Sequence, residues 1–329
     1  MYFLLAICLV LSLLLVLNLT GSAAVSLVWR VISHRITHIA PRYRGQLIFG
    51  LRAAPLVLSA ILVFAFMLPA YLLFEPRNTS EIVSIELGLI AFVSFVGLSI
   101  ALYRVFRSWL ATARLTSNWL ANAKKISVDG VDIPAYRIQH PFPVIAVVGV
   151  FRPRLFIAEQ IFELLSDAEF NAAIAHECGH LTSYDNFKRG FLRFCADTVI
   201  LPIGKGLDRA WSDSTESAAD DHATRSGGAA AALDLASTLI KIARVAPRAA
   251  TPVVPIGSLL VDADDLKVSH RVKRLIDTTS INAADGRQAG KLFWLYPGVL
   301  FAAAFAAATN TQVLKSVHGA TETIVHMFQ

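Results

Sequence analysis

The chain has 329 residues, 55% of them hydrophobic and 16% charged, with three cysteines and a formal net charge of +6. Soluble globular chains carry about 25% charged residues, so a large part of this one is composed to avoid water. The positive charge sits in short clusters beside apolar segments, which speaks against direct nucleic-acid binding, and three cysteines without a CxxC pair speak against a disulfide framework.

Four segments without a single charge account for the deficit: residues 2–29, 53–74, 87–103 and 292–314. A helix of about 20 apolar residues crosses a bilayer. One such segment would pass as a buried core helix, but four in a chain of this size would not. The spacing therefore predicts membrane spans at 1–29, 53–74, 82–103 and 292–314. The first has no positive residue before its apolar run and is too long for a secretory h-region, so it reads as a retained span.

Arg30, Arg35, Arg42, Arg44 and Arg52 fill the connection 30–52 without an acid. Arg104, Arg107, Arg114, Lys124 and Lys125 follow the third span before the first acid at Asp129. The connection 75–81 and the tail 315–329 hold few positive residues. Lys and Arg remain on the cytoplasmic side. The expected topology puts 30–52 and 104–291 in the cytoplasm and both termini outside the inner (plasma) membrane.

Residues 104–125 read as a helical continuation of the third span, ending near Lys124 and Lys125. The runs Val144–Val148 and Leu155–Ala158, separated by Gly149 to Pro153, have the pattern of a strand pair. A short helix follows around Gln160 to Leu165. Ser166 and Glu169 form a capping box that opens the next helix. Further helices are predicted over 187–199, over 208–225 with a stop at Gly227-Gly228, and over 230–244, before a Pro-rich loop at 246–258. The region between spans three and four thus has an α+β composition.

The helix opened by Ser166 carries NAAIAHECGHLTSYDN. His176 and His180, four residues apart, project from one helix face and suit a single metal ion, with Glu177 beside them. Chance would give H-E-x-x-H about 0.007 times in a chain of this composition. A catalytic zinc takes three protein ligands and keeps a fourth position open. Downstream, ESAADDHATR offers Glu216 as the third ligand, with Asp220 one turn on as an acceptor for a ligand histidine's other nitrogen. His222 projects from a different face of that helix and is the weaker choice. A helix that is merely acidic and solvated is the bland alternative for this stretch.

NAAIAHECGHLTSYDN, the later ESAAD and the preceding PFPVIAVVGVFRPRLFIAE resemble the BlaR/MecR-type, antirepressor-like membrane zinc metallopeptidases. These are gluzincins related to the HtpX and Ste24-type CAAX prenyl endopeptidases. The resemblance implies four transmembrane helices with a cytoplasmic gluzincin protease domain, 104–291, between helices three and four. It implies His176, His180 and Glu216 as zinc ligands, Glu177 as general base, and Asp220 and Asp185 in support. SHRVKRLID, matched to the end of the family's domain, places Arg271 near the site. Arg271, His222 and His270 are the candidates for stabilising the transition state. The implied substrate is a protein or peptide, specifically a cytosolic transcriptional repressor. It would lie along the edge of Val144–Val148 or of Leu155–Ala158. Membrane-protein quality control of HtpX type and a non-catalytic transducer are the alternatives. Penicillin-sensing members carry a large sensor after the last span, and a tail of this length is too short to fold into one.

Overall fold

The computed structural model describes residues 1–76, 83–246, 260, 265–279, 306–307 and 310–327. Three helices in the first part of the chain are long and apolar enough to cross a membrane: α1 (Tyr2–Ile32), α2 (Pro41–Phe74) and α3 (Ile85–Ala121). The expected basic loop 30–52 is thereby corrected. Only Ser33 to Ala40 connects α1 to α2, with a 3-10 turn at Arg35–His38, and Arg42, Arg44 and Arg52 ride on α2. Pro41 occupies the first turn, where its fixed φ favours helix entry. Arg52, 3% exposed, then finds a partner in Asp208 at 2.9 Å. Positive charge marked a boundary in the sequence, but a long side chain is tolerated on a helix when a carboxylate from another element meets it. A π-helical turn, Leu62–Met67, interrupts α2.

The Ser84 side chain caps α3, accepting from the Leu87 amide. The helix runs unbroken past residue 103 to Ala121, and Asn122 leaves helical geometry. Lys124–Ile126 is not the helix end that the sequence predicts but a strand, β1. Three more strands follow: β2 (Ala135–Ile138), β3 (Ile145–Val148) and β4 (Arg154–Ala158). Their order is β1-β2-β4-β3. The predicted pair β3/β4 is antiparallel, whereas β2 and β4 are parallel. β4 is therefore interior, and of the two expected docking edges only β3 is an edge. Phe156, Ile145, Leu155 and Ile157 are almost wholly buried, and Trp119 from the far end of α3 packs edge-on against Phe156 at 5.1 Å.

After α4 (Glu159–Leu164) come α5 (Asp167–Thr182), α6 (Asp185–Thr198), α7 (Lys205–Val245) and α8 (Asp265–Thr279). The two helices predicted around Gly227-Gly228 are one long element broken at Gly228, whose φ of 63° and ψ of −145° suit only glycine. The Pro-rich loop lies outside the described residues apart from Ala246. So does most of the predicted fourth span, 292–314. Its last residues belong to α9 (Thr311–Met327). Residues 315–327 of the tail are thus helical, and Val317 packs them against the Met67 and Tyr71 cluster at the end of α2.

Both halves of the predicted capping box are formed at α5. Glu169 does more than cap: its carboxylate accepts from Ser237 at 2.6 Å and from Lys241 at 2.7 Å, and its carbonyl accepts from Thr238. Burial works against this carboxylate, but its donors, Lys241 first, outweigh it and hold the pKa down at about 2. One residue thus fixes both the start of α5 and its docking on α7. Glu169→Ala should cost about 2–3 kcal/mol, combining a lost cap with lost charge-assisted hydrogen bonds, and thermal denaturation would read it.

Candidate metal centre

α5 and α7 pack closely, and the residues at their contact make the site. His176 and His180 are buried on α5, and their Nε2 atoms stand 3.2 Å apart. Glu216 enters from α7, with one carboxylate oxygen 3.7 Å from each imidazole. The donor atoms of these three residues all lie within 4.8 Å of one another, a set able to hold a metal ion.

The outer nitrogens are already committed. His176 Nδ1 faces Asp220 at 3.0 Å and His180 Nδ1 faces Asp185 at 2.8 Å. A nitrogen that donates to a carboxylate fixes the tautomer, so each imidazole turns its Nε2 lone pair inward. Two lone pairs and a carboxylate then converge on one point. The buried Glu216 Oε2 has no hydrogen bond, although Arg271 Nη1 lies 3.2 Å away. Two nitrogens and an oxygen aimed together fit a tetrahedral zinc with one open position.

Arg271, from α8, closes the back of the site. It grips Asp220 through Nη2 at 2.6 Å and Nε at 3.2 Å, and it donates to the Leu260 carbonyl at 2.8 Å. Burial opposes the charges here, yet Arg271 outweighs it for Asp220 and His180 does so for Glu216, so both carboxyls stay well below the usual range. Burial also lowers His176, whereas Glu216 and Asp185 overcome it at His180 and raise that imidazole, a preference for positive charge that a bound cation would satisfy in place of the proton.

Glu177 is 1% exposed. Its Oε2 accepts from the Val147 amide of β3 at 3.2 Å, and its Oε1 has no hydrogen-bond partner among the described residues. Burial pushes its pKa up to about 7, the range in which a carboxylate exchanges protons readily near neutral pH.

Among the predicted residues, His176, His180, Glu216, Glu177, Asp185, Asp220 and Arg271 come together. His222 does not join them: it is partly buried on α7, with its Cβ packed toward Gly179. His270 is exposed.

Several contributors were not predicted. Tyr184 adopts a left-handed conformation, φ 55°, and this turn swings Asp185 back toward His180. Asn186 bonds the carbonyls of Val147 and Gly149, and the Leu260 amide meets the Ile145 carbonyl, so the chain itself covers the outward groups of β3. Gly179 is the fourth. A Cβ there would stand 3.0 Å from the Ala219 Cα and 3.0 Å from the His222 Cβ, and the glycine inside H-E-C-G-H was its signal. Gly179→Ala should push α5 off α7 at a cost of about 1–3 kcal/mol and move His180 away from Glu216. Zinc titration should show weakened affinity.

No protein-family model matches the chain, and no curated protein does.

Proposed function

We propose that this protein is a membrane-bound zinc metalloendopeptidase of gluzincin type that performs regulated proteolysis of a cytosolic repressor, as the BlaR/MecR-type resemblance implies. The observation that carries the peptidase reading is the half-satisfied buried Glu177 beside three converging ligands. A non-catalytic metal site has no use for a carboxylate with one unpaired oxygen at that position.

His176, His180 and Glu216 would hold the ion, which would supply Lewis acidity toward water and a peptide carbonyl. Asp185 and Asp220 keep the two imidazoles in the tautomer that binds it. Glu177 Oε1 takes the proton of the attacking water, and the same carboxyl later hands it to the leaving amine. Arg271 is fully engaged with Asp220, Glu216 and the Leu260 carbonyl, so its role is to set the charge and position of the ligand helix. A substrate strand would align antiparallel or parallel to β3, displacing the contacts of Leu260 and Asn186. The Arg-rich flanks support a cytoplasmic position for this centre, since Lys and Arg remain on that side.

One feature favours quality control of membrane proteins as a second reading. A groove of about 1130 Å³ opens between α3 and α6, and Leu102, Trp109, Phe187 and Phe191 line it together with Gly149 at the end of β3. Such a groove accommodates an apolar segment of a protein substrate.

The test compares new protein N-termini in cells expressing wild type or Glu177→Gln. A single dominant Glu177-dependent cut in a DNA-binding protein establishes the antirepressor role, and many cuts across membrane proteins establish quality control. Identical N-terminal profiles under inducing conditions overturn the peptidase reading.

A further inference from the structure

The described residues hold a second set of metal-ligating side chains, remote from the H-E-x-x-H helix. It lies where α9 crosses the Leu68–Phe74 end of α2, whereas the Arg44 and Arg52 contacts to α7 are made from the other half of that helix. Glu75 follows the last residue of α2, and its side chain is 5% exposed. His318 and Glu322 are four residues apart on α9 and so project from one face. Each of the three offers a donor atom within 4.8 Å of the others.

We propose that Glu75, His318 and Glu322 form a second zinc site, which clamps the tail helix onto the end of α2. Spacing is the first argument. His318 Nε2 stands 4.0 Å from Glu75 Oε2 and 3.5 Å from Glu322 Oε1, too far for good hydrogen bonds. Two ligand atoms about 2.1 Å from one ion at the tetrahedral angle are about 3.4 Å apart. The imidazole-to-carboxylate separations at the first centre are 3.7 Å, so the two clusters share one scale.

Charge is the second argument. Two carboxylates converge on one imidazole, and one of them is buried at the end of an apolar helix. A dication bound between them would offset the mutual repulsion of the two carboxylates. The clamp is also built before the ion arrives. Val317 packs α9 onto the Met67 and Tyr71 cluster, and the Phe74 ring lies 5.9 Å from the His318 ring. One nitrogen and two carboxylate oxygens, with water as the fourth ligand, suit zinc. Calcium takes six to eight oxygens, and magnesium requires octahedral geometry.

The experiment uses the full chain without a polyhistidine tag, stripped of metal in detergent micelles and titrated with zinc against a chromophoric chelator. Wild type should bind two ions per chain. His318→Ala and Glu322→Gln should each bind one, His176→Ala should bind one, and the His176→Ala/His318→Ala double variant none. A zinc-dependent rise in melting temperature that persists in His318→Ala, through the first centre, shows that the variant is folded. Two ions still bound by His318→Ala, or a wild-type stoichiometry of one that His318→Ala leaves unchanged, overturns the clamp. If wild type binds one ion and only His318→Ala abolishes it, the clamp stands and the proposed peptidase centre falls.

Discussion

Glu177→Gln should retain one zinc at the His176, His180 and Glu216 centre and lose peptide-bond cleavage by a factor of about 10² to 10⁴, the range that positioned acid–base catalysis contributes. The substitution is nearly isosteric, and the new amide oxygen can keep the bond from the Val147 amide. What disappears is the acceptor for a proton at Oε1, which has no hydrogen-bond partner among the described residues. The same variant separates two explanations of the buried carboxylate. If Glu177 only held β3 against α5, Gln would do so equally well and activity would survive. Cleavage of an unstructured protein substrate by purified chains, with zinc content measured in parallel, decides the matter. Activity within a few-fold of wild type would remove Glu177 from the chemistry, and loss of zinc would show that it acts on the metal instead.

Asp220→Ala should be the most damaging single change to the framework of the site. Asp220 is 0% exposed and serves His176 through one contact and Arg271 through two. Its removal leaves a buried guanidinium short of its principal counter-charge, which costs about 3–5 kcal/mol. It also frees the His176 ring to turn, and lost support of this kind weakens metal binding about 10–100-fold. Asp220→Asn keeps the size and one acceptor and should lose less of both. Asp213→Ala, at an exposed position of the same helix, should stay within about 0.5 kcal/mol of wild type. Thermal denaturation and zinc competition on the three variants test the ranking. Unchanged zinc affinity in Asp220→Ala would mean that the carboxylate does not orient His176.

What could be read from the sequence was local. His176 and His180 are paired by helical periodicity alone, Glu216 and Asp220 by the same four-residue step, and Ser166 with Glu169 by a three-residue rule. These pairings needed no knowledge of the fold, and the structure places all six residues in those relations. Residues whose roles depend on distant segments were not legible. The four residues of β2 show no clear alternation, and the strand is defined by its parallel partner β4. Lys124 and Lys125 look like a helix end but pair with Arg137 and Tyr136. Arg52 looks like a loop charge until Asp208, 156 residues later, is brought to it. Arg271 was placed near the site by resemblance alone, because no spacing rule links α8 to α7. The tail helix went unpredicted because its apolar face has meaning only against the end of α2.

The unbroken course of α3 from Ile85 to Ala121 has a mechanical consequence. Its 37 residues measure about 55 Å, against a hydrocarbon layer of about 30 Å. Taken as a span, it projects some 25 Å beyond the bilayer as a stiff lever, with Trp119 as its tip set into the sheet. A tilt of about 5° around the bilayer midplane carries that tip roughly 3 Å, the scale of one hydrogen bond. One strand pairing away, from β4 to β3, sits the amide that holds Glu177. For a spanning α3, membrane thickness and lateral pressure would have a rigid path to the Glu177 carboxylate.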